Sequence, residues 1–329
     1  MNGGIFLVRD AKTKKEYIEK RGGRREIENG LVEQEILILK FLSCPPHPHI
    51  NSIVDHYVDR KASKASLYLR RCSEGGLNSF IKKRRENQAE LFNEIDVWEW
   101  FIQVFDALTY CHYGNSEKRA SKDDYHDGWN MPANILVTKG TPKGQTTAYT
   151  FQLADFGCAV QRSSVYRDRN KDRATTSFMT AGWQPPESPR FTARSDVWQL
   201  GAVMACICNL VNLPTQFDMK DPAPGYSKQL NETIQGCLIP DPSTRPKSYE
   251  VLAWCKQQYE NLREELNTSG SPNPSTLPQR SPPVNTLRQL RPAAGNAAGI
   301  SLPTVPIQGR VESGGGLAGG NVNRRRRRR

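Results

Sequence analysis

Two polar side chains stand at the ends of short apolar segments, where they could act together. Asn134 opens the segment 135–137, and Asp155 follows the alternating apolar residues of 151–153. These patterns predict two strands, and the intervening residues 138–147 contain two glycines and a proline, which favours a hairpin. Because the start of one strand lies beside the end of the other in an antiparallel pair, we expect Asn134 and Asp155 to converge.

The two side chains would offer oxygen atoms to a metal ion. Amide and carboxylate oxygens are hard ligands that suit Mg²⁺, which keeps several waters and completes its coordination with phosphate oxygens. Asn134 and Asp155 therefore predict a metal site for a phosphate-bearing nucleotide.

The residues around this pair resemble the motifs of the eukaryotic protein kinases. Asp155, Phe156 and Gly157 read Asp-Phe-Gly, and Asn134 precedes a short strand. In that family, the catalytic-loop Asn and the Asp of Asp-Phe-Gly hold the metal ions of ATP. The resemblance therefore implies ATP and Mg²⁺ as cofactors, with Asn134 and Asp155 as the metal ligands.

The amino-terminal residues predict a hairpin that would cover the phosphates. Gly3 and Gly4 precede four apolar residues, and the segment 16–20 predicts a return strand after a polar turn. In the resemblance this is the second half of the Gly-rich loop, so Gly3, Gly4 and Phe6 would contact the nucleotide. Lys20 would contact the α- and β-phosphates. The preceding strand and the first glycine of the loop are not present, so we expect an N-lobe that lacks its first strand.

A helical pattern downstream supplies a partner for Lys20. Apolar residues recur at helical spacing between residues 32 and 42, with Glu35 four residues before Leu39. In kinases such a glutamate pairs with the strand lysine, and the residue one turn later packs against the Phe of Asp-Phe-Gly. The resemblance assigns these roles to Glu35, and to Leu39 against Phe156. Two other acidic residues are alternatives for the paired glutamate: Glu28 and Glu33.

The segment 67–77 resembles the kinase strand, the hinge between the lobes and the first turn of the large lobe. Small-molecule sites often form at such junctions. The resemblance places Leu69 at the back of the adenine pocket and turns the backbone of Arg70 to Cys72 toward the adenine edge. Leu136 would form the floor of the pocket.

The catalytic loop departs from the kinase pattern. Kinases read His-Arg-Asp-Leu-Lys-Pro-x-Asn, whereas residues 127–134 read Asp-Gly-Trp-Asn-Met-Pro-Ala-Asn. Trp129 therefore stands at the position of the catalytic base, and Met131 replaces the lysine that steadies the transferring phosphate. An indole nitrogen only donates, so it cannot accept a substrate proton.

Two alternatives follow for the catalytic base. Asp127, preceded by His126, would reach the substrate hydroxyl if the loop carries a two-residue bulge. In the other alternative no base is present. General acid–base catalysis contributes roughly 10²–10⁴-fold, so phosphoryl transfer would then be weak or absent. The sequence slightly favours this second alternative.

Later blocks of the sequence resemble the large lobe of the kinases. Glu187 ends a Pro-Pro-Glu triplet similar to the Ala-Pro-Glu that closes the activation segment, and a later block supplies Arg245. In the family these two residues form a buried ion pair, so Glu187 and Arg245 should meet. Ser195 or Asp196 should cap a helix that is apolar on all sides through Cys208.

The resemblance covers about residues 3–259 and predicts an α+β, bilobal protein-kinase fold with a small β-rich N-lobe and a large α-helical C-lobe. It implies an N-lobe with hinge at 1–72, a C-lobe at 73–262, and a disordered tail at 263–329. The implied activity is transfer of the γ-phosphoryl group of ATP to Ser or Thr of a protein substrate. The alternatives are a pseudokinase, acting as a nucleotide-responsive scaffold or interaction module, and a truncated gene product.

The composition and the charge distribution indicate the cellular compartment and the possible partners of the protein. Eight cysteines without CxxC spacing indicate reduced thiols, and neither a signal peptide nor a transmembrane run is evident, so we expect an intracellular protein of the cytoplasm and/or nucleus. Residues from Gly270 onward carry ten arginines and one glutamate, hence most of the net charge of +12. The run Arg324–Arg329 would contact a nuclear-import receptor, nucleic acid or acidic lipid, with a solvated cationic end as the alternative.

Overall fold

The computed structural model describes residues 4–87, 90–114, 134–140, 148–159 and 182–268, which belong to one compact unit. The order of elements confirms the predicted α+β fold, because an antiparallel sheet comes first and a mainly helical part follows. The strands are β1 (Gly4–Arg9), β2 (Glu16–Arg21), β3 (Ile53–Asp59), β4 (Lys64–Arg70), β5 (Gly75–Gly76), β6 (Ile135–Lys139) and β7 (Tyr149–Leu153). The helices are α1 (Arg24–Glu28), α2 (Leu31–Leu42), α3 (Leu77–Asn87), α4 (Glu94–Tyr113), α5 (Ala193–Asn209), α6 (Lys228–Cys237) and α7 (Ser248–Thr268).

The first sheet has the strand order β1-β2-β4-β3, and β1 and β2 form the predicted amino-terminal hairpin. Lys20 on β2 lies opposite Ile5 on β1 and Leu67 on β4. Directly opposed side chains share a face of a sheet, so these three residues lie on one face. Leu67 is buried, which shows that this face is turned toward the core.

Helix α2 carries a charged residue on its buried side. The helix packs against β3 and against the turn at residues 156–158. The apolar residues at the predicted helical spacing, Val32, Ile36, Leu39 and Leu42, are buried, and Glu35 is buried with them. A buried carboxylate needs a charged or hydrogen-bonding partner, so the position of α2 depends on what Glu35 contacts.

Strands β6 and β7 form the second predicted hairpin. Ile135 lies opposite Leu153, and the backbone pairing continues beyond them, because the amide of Ala154 donates to the carbonyl oxygen of Asn134 at 2.9 Å. The start of β6 and the end of β7 therefore lie side by side. This pairing brings Asn134 next to Asp155.

Helix α5 is the central helix of the large lobe. Every residue from Ser195 to Cys208 is buried, which confirms the predicted burial on all sides. The prediction that Ser195 or Asp196 is the N-cap is wrong, because the helix begins earlier. Thr192 has an extended backbone and caps the helix by accepting from the amide of Arg194. The hydroxyl of Ser195 accepts from the amide of Thr192 in return, at 2.9 Å.

A buried ion pair joins the segment before α5 to the loop before α7. Arg245 is 0% exposed and donates to Oε1 and Oε2 of Glu187 at 2.8 and 3.0 Å. Burial opposes the ionisation of Glu187, but hydrogen bonds from Arg245 and Ser195 outweigh it and hold the pKa of Glu187 below its usual value. The guanidinium also donates to three backbone carbonyls, those of Arg194, Ile239 and Pro240.

The last helix extends past the predicted start of the tail. Helix α7 continues to Thr268, so the division before residue 263 falls inside a helix. The packed face of the helix ends close to the predicted boundary, since Tyr259 is buried and Leu262 packs against the core, but the helical backbone continues beyond it. Within the described ranges, none of the helices has both the length and the apolar character needed to cross a bilayer.

Candidate active site

Lys20 lies between two carboxylates that come from distant parts of the chain. Its Nζ donates to Oε1 and Oε2 of Glu35 at 2.7 and 3.0 Å, and to Oδ1 of Asp155 at 2.8 Å. The side chains of Lys20 and Glu35 are 13% and 6% exposed, whereas that of Asp155 is 47% exposed. The structure thus brings together the three charged residues that the resemblance links, with Asp155 on the side open to solvent.

These charges determine one another's protonation. Burial alone would lower the pKa of Lys20, but Glu35 and Asp155 outweigh burial and raise it, so the lysine keeps its proton. Burial raises the pKa of Glu35, and Asp155 acts in the same direction, while Lys20 opposes both. Glu35 therefore depends on Lys20 for its negative charge.

Asn134 lies beside the exposed carboxylate. Its Nδ2 donates to Oδ2 of Asp155 at 3.2 Å, so the two predicted metal ligands are adjacent. Asp155 has φ 59° and ψ 74°, in the left-handed region that residues other than glycine rarely adopt. Such a backbone persists where surrounding contacts fix it, and here Lys20 and Asn134 each hold one carboxylate oxygen.

Gly157 leaves room for the charged group. A Cβ at this position would lie 3.3 Å from Oδ1 of Asp155, 3.4 Å from Oε2 of Glu35 and 3.5 Å from Nζ of Lys20. A Cβ here would therefore touch all three charged groups, and its contact with Asp155 would be tighter than ordinary van der Waals contact. Gly157 is recognisable in the sequence as part of the Asp-Phe-Gly motif, but its position beside Glu35 depends on tertiary structure.

Phe156 and Leu39 lie in the core below the site. Both are buried in the same apolar cluster, at 0% and 2% exposure, and α2 packs against the turn that contains Phe156. The apolar residue of the Asp-Phe-Gly turn is therefore buried with the helix that carries Glu35, while the aspartate of the same turn faces outward.

The donor set at the exposed end of the site fits Mg²⁺. Asp155 and Asn134 carry hard oxygen ligands, and the half-exposed carboxylate leaves space for water and phosphate oxygens. Lys20 places a positive charge 2.8 Å from the same carboxylate, where a phosphate group could accept from it. Asn134 and Asp155 would hold the metal, and Lys20 would hold a phosphate.

The residues expected at the adenine pocket lie on β4, at the hinge and on β6. Leu69 is partly buried and lies opposite Ile18, on the face of the sheet that also holds Lys20. Leu136 is partly buried and lies opposite Gly76. The side chain of Cys72 is buried, and burial raises the pKa of its thiol.

The structure corrects the prediction for Phe6. Phe6 lies opposite Glu19, the neighbour of Lys20 in sequence, and its ring centroid is 4.2 Å from the guanidinium of Arg21. Successive side chains of a strand point to opposite faces, so Phe6 is on the face away from Lys20, and its assignment to the nucleotide pocket is wrong. Ile5, 66% exposed, is the residue of β1 that lies directly opposite Lys20. The sequence shows that successive side chains of β1 alternate between the two faces of the sheet. Which residues lie on which face is decided by the pairing register with β2.

Of the remaining predicted site residues, Gly4 is the one that lies within the described ranges. Gly3, Asp127 and Trp129 lie outside the described residues, and their roles stay predictions. Gly4 begins β1 with φ 116°, a conformation that favours glycine, and a Cβ there would lie 2.8 Å from the ring of Phe6.

We predict that Lys20→Met destabilises the domain more than Glu35→Gln. Loss of the lysine leaves Glu35 and Asp155 as neighbouring like charges, and breaking a buried pair in this way costs roughly 3–5 kcal/mol. Glu35→Gln leaves Lys20 paired with Asp155, so we expect a loss of about 1–2 kcal/mol. Urea unfolding at pH 7 measures both, with Lys82→Met, an exposed lysine near Glu86, as the control. Equal or reversed losses would contradict the dependence of Glu35 on Lys20.

Comparison with known proteins assigns the chain to a family. Residues 1–259 match the family model of the protein kinase domain. Similar proteins include the serine/threonine-protein kinase Nek6 of Oryza sativa subsp. japonica, 27% identical over 84% of this chain and 48% of the relative. The serine/threonine-protein kinase Nek2 of Mus musculus is 26% identical, over 81% of this chain and 60% of the relative. The G2-specific protein kinase nimA of Emericella nidulans is 29% identical, over 76% of this chain and 39% of the relative.

The chain thus spans about two fifths to three fifths of the length of these relatives. The family model nevertheless covers more than half of this chain, including both hairpins, α2 and all helices up to most of α7. The match and the α+β architecture agree: the chain belongs to the eukaryotic protein kinase family.

Proposed function

We propose that this chain binds ATP with Mg²⁺ in the site around Lys20 and transfers the γ-phosphoryl group, at a reduced rate, to Ser or Thr of a protein. The observation that carries the proposal is the position of Lys20, with Nζ at 2.7 Å from Glu35 and 2.8 Å from Asp155. A fixed cation beside a half-exposed carboxylate supports the binding of phosphates that bear a metal ion. The names of the relatives, serine/threonine-protein kinases, support the class of acceptor.

Each residue of the proposed site has a separate task. Lys20 donates to the α- and β-phosphates, and Glu35 holds the lysine in place. Asn134 and Asp155 hold the metal, which neutralises charge on the phosphates. Phosphoryl transfer requires little covalent chemistry from the protein, so this positioning and charge stabilisation supply most of the rate.

The sequence of the catalytic loop supports slow transfer. Trp129 stands where the family has its base, and loss of general base catalysis lowers a rate by roughly 10²–10⁴-fold. Asp127 is the candidate for a displaced base within this proposal. If Asp127 accepts the substrate proton, part of the lost rate is recovered.

A second candidate function is that of a pseudokinase. In this case nucleotide binding would alter a surface that the domain presents to partner proteins, and no phosphate would be transferred. The replacements at Trp129 and Met131 favour this candidate, because in the family these two positions serve the transfer step, as the base and as the lysine that steadies the transferring phosphate. The residues proposed to bind the nucleotide and its metal are retained: Lys20, Glu35, Asn134 and Asp155.

The proposed setting follows from the thiols and the charge. All eight cysteines are free, which supports a reducing compartment, and we propose the cytoplasm or nucleus. Contact of Arg324–Arg329 with an import receptor, nucleic acid or acidic lipid stays a prediction from sequence.

Nucleotide binding is tested by thermal unfolding with and without ATP and Mg²⁺. A ligand that binds only the folded state raises its stability, by about 2.7 kcal/mol at a hundredfold excess over Kd. We expect the midpoint Tm of the wild type to rise and the Mg²⁺-dependent part of the rise to be lost in Asp155→Asn. Asp55→Asn, which removes an exposed charge from β3, is the matched control. If nucleotide leaves the Tm of the wild type unchanged at every Mg²⁺ concentration, the proposal is refuted.

Phosphoryl transfer is tested separately with a generic protein substrate. We expect transfer by the wild type to exceed that of Asp155→Asn, and Trp129→Asp to raise the rate by up to about 10²-fold, because it restores a proton acceptor. Asp127→Asn shows whether that residue is a displaced base, and an unchanged rate would exclude it. Equal rates for the wild type and Asp155→Asn, with nucleotide binding intact, would favour the pseudokinase.

A further inference from the structure

The hinge between the lobes is held by a buried side chain from outside the hinge. Asn51 lies in the loop between α2 and β3 and is 1% exposed. Its Nδ2 donates to the carbonyl oxygen of Arg70 at 3.0 Å and to Sγ of Cys72 at 3.3 Å. A carbonyl oxygen only accepts, so the amide must turn its nitrogen toward the hinge. One side chain thus contacts both ends of the segment 70–72.

Cys72 links this contact to the large lobe. Its thiol donates to Oε1 of Gln152 on β7 at 3.3 Å, and Nε2 of Gln152 donates to the carbonyl oxygen of Pro48 at 2.9 Å. Pro48 belongs to the same loop as Asn51, so the contacts form a closed ring from loop to hinge to β7 and back. We call Asn51, Cys72 and Gln152 the hinge latch.

The loop that carries Asn51 is itself fixed to β7 by backbone hydrogen bonds. The amide of Asn51 donates to the carbonyl oxygen of Leu153 at 2.8 Å, and the amide of Leu153 donates to that of His49 at 2.9 Å. The ring of His49 lies 3.2 Å from the carbonyl oxygen of Phe151 through Nδ1. Burial lowers the pKa of His49 to about 4, so the ring is neutral and donates from Nδ1. The hinge latch therefore attaches the hinge to a loop that is hydrogen-bonded to β7.

We propose that the hinge latch positions the backbone of residues 70–72 to recognise the adenine edge. This inference rests on the proposed nucleotide site and adds residues that determine its base contacts. A carbonyl oxygen has two acceptor positions, and Asn51 occupies one at Arg70, which fixes the direction of the other. Adenine presents an amino donor beside a ring-nitrogen acceptor, and a hinge segment held in one conformation can match that pair. Asn51, Cys72 and Gln152 act through the hinge backbone and are positioning residues.

A role in stability alone would have a different signature. Variants of a merely structural latch would lower Tm, while the folded fraction would keep its affinity for nucleotide. Variants of a positioning latch weaken the binding of adenosine. They weaken the binding of Mg·ATP by the same factor, because the phosphate contacts of Lys20 are separate and their contribution adds independently.

The test uses the full chain and calorimetric titration with adenosine and with Mg·ATP. Cys72→Ser keeps a hydroxyl that can donate to Gln152 and accept from Asn51, whereas Cys72→Ala removes both contacts. We expect Cys72→Ala to weaken both ligands by roughly 3–10-fold and Cys72→Ser by less than about twofold. Asn51→Leu, of similar size, should weaken both ligands by roughly 10-fold or more. Ser52→Ala is the control, because Ser52 is buried in the same loop and its hydroxyl donates to the carbonyl oxygen of Ile50 at 3.4 Å, away from the hinge.

Three results would count against the proposal, and they are distinguishable. The positioning role would be overturned if Cys72→Ala and Asn51→Leu bound both ligands within twofold of the wild-type affinity. Their thermal transitions must show that both variants are folded. A loss for Mg·ATP that clearly exceeds the loss for adenosine would overturn it too, because the latch would then act on the phosphate side. Failure of the wild type to bind Mg·ATP would refute the proposed nucleotide site, and this inference with it.

Discussion

One buried carboxylate sets the main constraint on this molecule. Glu35 is 5% exposed on α2, and Lys20 is the cation that keeps it ionised. The lysine comes from β2, and its second partner, Asp155, follows β7, so a single ammonium group joins the small sheet, the helix and the large lobe. The contact that stabilises the arrangement also holds a positive charge where a phosphate would bind. Stability and the proposed chemistry therefore depend on the same interaction.

The two halves of the proposed chemistry are built by different parts of the chain. Asn134 and Asp155 are placed by the backbone pairing of β6 with β7, and this pairing does not require a particular residue at position 129. The replacement of the base by Trp129 can therefore leave the metal and phosphate side unchanged. A chain of this kind can bind nucleotide well and transfer phosphate poorly, so the two properties are independent measurements.

The sequence predicts the features that local periodicity and short-range topology fix. Asn134 and Asp155 lie together because two strands that are consecutive in the sequence pair in antiparallel fashion, and α5 is buried because it is apolar on all sides. Features that depend on the pairing register could not be predicted from the sequence. Ile5 and Phe6 are neighbouring apolar residues, and only the pairing of β1 with β2 shows which of them lies opposite Lys20. The hinge latch was also beyond the sequence, because it joins three residues from separate segments whose types form no motif. The thiol of Cys72 shows the same limit, since its position in the hinge was predicted but its partners were not.

The most direct measurement is a structure of this chain with Mg²⁺ and a non-hydrolysable ATP analogue. If the site is as proposed, one metal ion will have oxygen ligands from both Asn134 and Asp155 at about 2.0–2.1 Å, and Nζ of Lys20 will lie within hydrogen-bond distance of a phosphate oxygen. A nucleotide bound elsewhere, or a metal ion with no ligand from either side chain, would contradict the central claim.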